Sequence, residues 1–313
     1  MSQLILNFFR KDDSLKLSVT ATGHCNYEDH IEVDGKRAYE LLVLSNNRKK
    51  NLNKYCSGLK TLLRNHSDIV RLEDSQPMTF CWRVNDVTYL STSLFFEYYM
   101  SNLSNCLSKI KDALQSDLDS TPYKEAKETL IHLRGMFDEW NTQLLILPHT
   151  PHVVSLDFLQ SLLCFTHGCH TLQVTPKLKD KSYGVALRTA MDSFGRVWPR
   201  HEYGEVAMHH YLVSRALLYG YVHDDESREA SEKLTALLEA QKCLSSTRFQ
   251  KCFLTKKILD KVNDLEHKLV DDIDVLKNTY YAEETGLENV KIPESYNLIV
   301  CKRTQQFGCK CKE

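Results

Sequence analysis

The apolar positions between Tyr203 and Leu244 define the element around which the rest of the chain is arranged. Met208, Tyr211, Leu212, Ala216 and Tyr219 recur at helical spacing, and Val213, Leu217 and Leu218 fill a second face of the same helix. A helix that is apolar on more than one side packs between neighbours. The run His223-Asp224-Asp225-Glu226-Ser227 interrupts the pattern and offers a capping side chain and first-turn acids to a second helix. That helix carries a single stripe of Ala230, Leu234, Leu237 and Leu238. The pattern predicts an αα-hairpin with a buried first arm and a half-exposed second arm. Such a hairpin cannot cover its own apolar faces, so it implies further helices on either side and reads as one layer of a helical stack.

Near the N-terminus the period changes to two. Leu15, Leu17, Val19 and Ala21 alternate with polar residues, which predicts a half-buried strand over 14–21. A helical pattern spans about 28–44, a polar connector covers 46–51, and Tyr55, Leu59, Leu62, Leu63 and Ile69 mark a second amphipathic helix. Phe80, Trp82 and Val84 alternate against Cys81 and Arg83, giving a short extended stretch able to pair with the first strand. The large Trp82 ring then needs a core position where the β element meets the helices. Long helices are expected over 88–116, 122–146, 155–174 and 177–195, with Pro122, Pro148, Pro151, Pro176 and Pro199 at or near their boundaries. One or two more follow over 248–279. From Tyr280 the periodicity fades, and 282–313 is expected to be an extended arm or disordered. No sharp domain boundary and no clean repeat period is visible, so one elongated α domain is the economical reading.

Composition narrows the function classes. The 313 residues include 40 basic and 41 acidic side chains, a net charge of −1, so no global field advertises nucleic acid. With 42% hydrophobic and 26% charged residues the chain is an ordinary globular one, and only 11 Gly and 7 Pro suit long helices. The opening MSQLILNFFRKDD lacks the layout of a secretory signal, and no apolar run approaches the roughly 18 residues of a membrane span. The 11 cysteines are odd in number and scattered, Cys56, Cys106, Cys164 and Cys243 on apolar faces, which fits reduced thiols in the cytosol.

The densest group of metal-type donors is Cys164, His167, Cys169 and His170. On a helix Cys169 lies well round the cylinder from Cys164 and His167, and no second pair follows at finger-like spacing, so an apolar helix face is the better reading. Adjacent His209 and His210 diverge by about 100° on a helix and cannot share a ligand. Cys309 and Cys311 sit in a basic tail with no partner pair. No Gly-rich phosphate loop, G-x-S-x-G or H-E-x-x-H is present, so neither an enzyme nor a cofactor or metal site is expected. One charge pattern is uneven: Lys177, Lys179, Lys181, Arg188, Arg196 and Arg200 face only Asp180 and Asp192 in the same stretch. It is either a solvated helix face or a basic strip for anionic lipid or an acidic partner, extended by Lys36-Arg37 and Arg48-Lys49-Lys50.

Several of these features, in order, resemble the Bro-one (BRO) domain family, Alix- and Brox-like, and most of all its small single-domain Brox-type members. The stretches are FFRKDDSLKLSVTATG, Ala38-Tyr39-Glu40-Leu41 through LNKYCSGLKTLLRNHSDIV, Phe80-Cys81-Trp82-Arg83, Asp192-Ser193-Phe194-Gly195 with the hairpin at 203–244, and Asn278-Thr279-Tyr280-Tyr281. The resemblance runs over about residues 5–295. It implies a mainly α, elongated, boomerang-shaped helical solenoid with a tetratricopeptide-like middle and a small N-terminal β element. It divides the chain into a Bro-one-like domain over 1–295 and a short basic, Cys-containing tail over 296–313.

The family implies a non-enzymatic adaptor that binds the C-terminal amphipathic helix of ESCRT-III subunits, the charged multivesicular body proteins. The family's apolar patch lies on the helix before Asp-x-Phe-Gly, here 177–191. The resemblance places the partner contact on Tyr183 and Leu187, flanked by Lys179 and Arg188, with Lys177, Lys181, Arg196 and Arg200 as the basic strip. Tyr183 and Gly184 depart from the family's aliphatic pattern, and Lys310 stands where Brox-type members carry a prenylated Cys. The implied location is cytoplasmic, peripheral to endosomal or nuclear-envelope membranes, with an anionic membrane surface as a second partner and no nucleic acid or small-molecule substrate. The alternative is a scaffold that keeps the fold and has lost ESCRT-III binding.

Overall fold

In the computed structural model the alternation at Phe80–Val84 becomes the middle strand, β2, of a three-stranded antiparallel sheet between β1 (Val19–Ala21) and β3 (Val87–Ser91). The structure describes residues 19–21, 51–65, 80–84, 87–91, 93–115, 120–144, 151–197, 204–246 and 254–296. These fall into two compact units, one drawn from 1–111 and 125–160, the other from 112–124 and 161–302. Leu15, Leu17 and the helix expected over 28–44 lie outside the described residues.

In the first unit the two predicted strands pair, with Ala21 opposite Trp82 and Val19 opposite Val84. Phe80, Trp82 and Val84 are all buried, while Cys81 and Arg83 on the other face are half-buried. The helix expected over 88–116 begins later. Val87-Thr88-Tyr89 is β-branched and aromatic, and Val87 pairs with Val84 across a tight hairpin, so β3 forms there instead. Helix α2 (Leu94–Gln115) follows, after α1 (Leu52–Asn65), with Ser93 Oγ accepting the Phe96 N–H at 3.3 Å as its cap.

Helix α2 buries nearly all of its circumference, including the carboxylate of Glu97, which is 0% exposed. That carboxylate accepts hydrogen bonds from Tyr55 Oη at 2.6 Å, Trp82 Nε1 at 2.6 Å and Ser101 Oγ at 3.1 Å. Three donors offset a burial that would otherwise cost several kcal/mol, roughly the penalty for an unpaired buried charge. Trp82 thus joins sheet to helices through both its ring and its N–H. Nearby, burial, with the Glu97 charge adding to it, pushes the Cys56 thiol up to about 12, so it stays protonated. Helices α3 (Thr121–Leu144) and α4 (Leu156–Val174) match their expected spans within two residues.

The second unit holds the hairpin. A short 3-10 turn (Thr175–Lys177) leads into α5 (Asp180–Gly195), then α6 (Gly204–His223), α7 (Ala230–Ser246) and α8 (Lys256–Asn278). Consecutive helices from α5 to α8 pack on one another, and α6 also meets α8. Helix α6 is therefore interior, with Ala207, Val213, Ala216 and Leu218 at 0% exposure. Helix α7 buries Leu234, Leu237, Ala240 and Cys243 and exposes Gln241 and Lys242. The acidic knot orders the loop and clamps α8: Asp225 Oδ1 accepts the Ser227 N–H and O–H, and both Asp224 oxygens accept from Lys268 at 2.8 Å.

The expected helix 177–195 is broken at its start. Leu178 and Lys179 are extended, with ψ of 157° and 160°, and Asp180 takes φ 50°, a left-handed value that Asp tolerates better than most residues. At the other end of the unit the chain turns at Tyr281 (φ 51°) and becomes the expected extended arm. Thr285 and Thr235 exchange two hydrogen bonds, Arg228 donates to Lys291 O at 2.8 Å, and the Tyr296 N–H reaches Thr189 Oγ1 on α5 at 3.0 Å. Among the described residues no helix is long and apolar enough to cross a membrane.

The histidine pair separates as its spacing requires. His210 is buried against Phe194 and Phe165, with Nδ1–H donating to Val206 O at 2.8 Å. Burial first, and the His210 ring second, hold the His209 pKa down to about 4. An unfolded histidine titrates near ~6.5, so between about 6.5 and 4 the unfolded chain binds the extra proton and stability falls as pH falls. His209→Gln is expected to flatten that slope when urea midpoints are compared at pH 7 and pH 5. Equal slopes in parent and variant would remove His209 from the account.

Candidate partner groove

Helix α5 carries the residues singled out from the sequence, and the structure divides them. Leu187 is 0% exposed. The face it shares with Tyr183 runs into the interior one turn after Tyr183, so Leu187 belongs to the core and does not form an outward patch. Tyr183 is half-buried, its ring 5.9 Å from that of Tyr221 on α6 at 52°. Arg188 is held by Asp192 in an i, i+4 pair at 3.0 Å and does not flank Tyr183. Lys177, Lys179 and Lys181 are exposed at the start of α5, whereas Arg196 is exposed beyond its other end, about 22 Å away by helical rise. Arg200 lies outside the described residues.

Around Tyr183 a groove of about 640 Å³ opens between three elements. The start of α5 contributes Lys179, Asp180 and Tyr183, and Pro176 and Leu178 precede them. Helix α6 contributes Leu217, Gly220, Tyr221 and Asp224, and α8 contributes Lys261, Asp264, Leu265 and Lys268. Leu217 and Leu265 form an apolar floor at 4% and 5% exposure. Burial, and after it the Asp224 charge, pushes the Tyr183 hydroxyl up to about 12, so the phenol stays neutral.

Two glycines set the walls. At Gly220 an added Cβ would stand 2.8 Å from Leu265 Cδ1, so the missing side chain lets α8 close on α6. At Gly184 an added Cβ would stand 2.4 Å from Tyr221 Cε1 and 3.0 Å from Pro293 Cγ. Gly184 therefore lets the Tyr221 ring lie on α5, which explains its departure from an aliphatic pattern. Gly184→Ala is expected to expel that ring and cost about 1–3 kcal/mol by overpacking, despite alanine's better helix propensity. A variant as stable as its parent in urea unfolding would show that the ring yields freely.

The cysteine and histidine group on α4 does not converge. Cys164 and Cys169 are buried at 2% and 4%, and Cys169 shares a hydrogen bond with the Tyr123 hydroxyl. Among the described residues no three metal-type donors come together. What sequence reasoning missed is the rest of the groove, Tyr221, Leu217 and the α8 wall. Its one available signal was Gly220, a glycine inside the apolar run of α6.

No family model matches the chain, and no curated protein sequence matches it. Solved structures do. One is ALIX in complex with the SIVmac239 PYKEVTEDL late domain, with TM-score 0.62 and 16% identity over 84% of this chain. The present chain spans 43% of that ALIX chain's length. A Bro1 domain described for endosomal targeting gives TM-score 0.57 and 15% identity, covering 88% of this chain and 87% of its own. The ALIX BRO1 CHMP4C complex gives TM-score 0.65 and 14% identity, covering 91% and 93%. At identities this low the likeness speaks for fold alone, and the fold this chain shares with them is that of the Bro1 domain.

Proposed function

We propose that this protein is a non-enzymatic adaptor whose groove at Tyr183 takes the C-terminal amphipathic helix of an ESCRT-III subunit. The observation that carries the reading is the open groove on α5, in a fold shared with a BRO1 domain solved together with CHMP4C. An aliphatic floor with aromatic walls and a charged rim suits helix-in-groove recognition, in which a few apolar anchors supply most of the affinity. Leu217 and Leu265 would receive the anchors, and Tyr183 and Tyr221 would line the flank. The exposed Lys177, Lys179 and Lys181 would lie toward an anionic surface, and the likeness to a Bro1 domain described for endosomal targeting points to endosomes as the place.

Tyr183→Asp tests the site. A carboxylate in a desolvated contact costs several kcal/mol, about 100-fold in a partner that binds at micromolar strength. Fluorescence anisotropy with labelled ESCRT-III C-terminal helices should show that loss, with the melting temperature little changed because Tyr183 is only half-buried. Parent-like affinity in the variant would move the contact elsewhere. No binding by the parent would favour a scaffold that keeps the fold without this partner.

A further inference from the structure

The rim of the groove is not evenly engaged. Asp224 is already neutralised: both its oxygens accept from Lys268 at 2.8 Å, and His223 Nδ1 lies 3.1 Å away. Arg228, near Tyr221, is taken up by Asp225 and Glu232 at 3.2 and 2.9 Å. Asp180 differs. It is exposed at the groove mouth, and among the described residues no ion pair engages it. It lines the same groove as Tyr183 and Tyr221, whose rings stand 5.9 Å apart.

Two tyrosine rings therefore meet at one corner of the groove, with an uncommitted carboxylate beside them. Helix α6 ends there at His223, so the negative end of its dipole adds to the same potential. Aromatic faces attract cations, and a nearby carboxylate strengthens that attraction. Lys179, next to Asp180 in sequence, repels ammonium and guanidinium alike, so charge alone does not choose between them. A flat guanidinium can spread over the rings while hydrogen-bonding Asp180.

We propose that the Tyr183–Tyr221–Asp180 corner is a subsite for an arginine side chain of the docked partner, one that fixes the partner's register by placing a guanidinium beside its apolar anchors. It rests on the reading of the groove as a helix-docking site, but a probe smaller than a helix tests it separately. Unlabelled N-acetylarginine methylamide is titrated against full-length protein carrying ring-labelled tyrosine, with N-acetylnorleucine methylamide as the uncharged control. The two ring signals are assigned through Tyr183→Phe and Tyr221→Phe. The expected result is saturable shifts of both rings with the arginine probe, weakened by salt, and a several-fold weaker response to norleucine. Asp180→Asn should lower the arginine affinity at least fivefold while the fold survives, since Asn tolerates the left-handed backbone at this exposed position. Equal response to both probes, or an unchanged titration in Asp180→Asn, would overturn the proposal. Arginine binding with no ESCRT-III helix binding would leave the subsite standing and reject the helix reading, and the reverse result would reject the subsite alone.

Discussion

Replacing Trp82 by alanine is expected to lower the unfolding free energy by about 3–5 kcal/mol, the range for truncating a large buried aromatic. The ring is 1% exposed on the inward face of β2, and its Nε1–H satisfies the Glu97 carboxylate at 2.6 Å. The loss combines a cavity in the first unit with a buried Glu97 carboxyl group deprived of a donor. Trp82→Phe weights the second, because it keeps an aromatic ring and leaves a smaller cavity while removing the N–H, with an expected cost of about 1–3 kcal/mol. Urea unfolding of both variants reads the difference. If Trp82→Ala unfolds at the parent's midpoint, the junction of sheet and helices does not rest on this residue.

Leu187→Asp is expected to give a comparable loss in the other unit. Leu187 is wholly buried on α5, where an aspartate either ionises in apolar surroundings or takes up a proton to avoid doing so. Breaking the core in this way costs roughly 3–5 kcal/mol, a large share of the roughly 5–15 kcal/mol that holds an ordinary domain folded. The circular-dichroism melt is expected to collapse, in contrast to Tyr183→Asp four residues earlier on the same helix. A variant that melts like the parent and fails only in binding would restore Leu187 to the partner surface.

The fold was largely legible because its strongest signals are local. Period-two alternation at Phe80, Trp82 and Val84 and the two-faced apolar pattern of Val213 to Leu218 each bury what they predict. The errors came where two local rules compete. At Val87–Ser91 hairpin closure overrode a helix reading, and at Leu178–Asp180 two extended residues and a positive φ broke a helix that periodicity ran straight through. The groove was harder to read because it is made by three segments distant in sequence. An i, i+4 relation between Tyr183 and Leu187 says that they share a face, but only the position of α6 decides where that face closes. The departure of Gly184 from an aliphatic pattern is unreadable locally for the same reason: its purpose lies in the Tyr221 ring, 37 positions further along the chain.

The central claim is that the groove takes an ESCRT-III helix, and isothermal titration of the full-length chain with synthetic C-terminal helices of charged multivesicular body proteins tests it most directly. The account predicts saturable binding at one site per chain, a negative heat-capacity change from burial of the aliphatic anchors, and loss of the signal with Tyr183→Asp. Absence of binding heat at any temperature across the panel, with the protein folded, would contradict it.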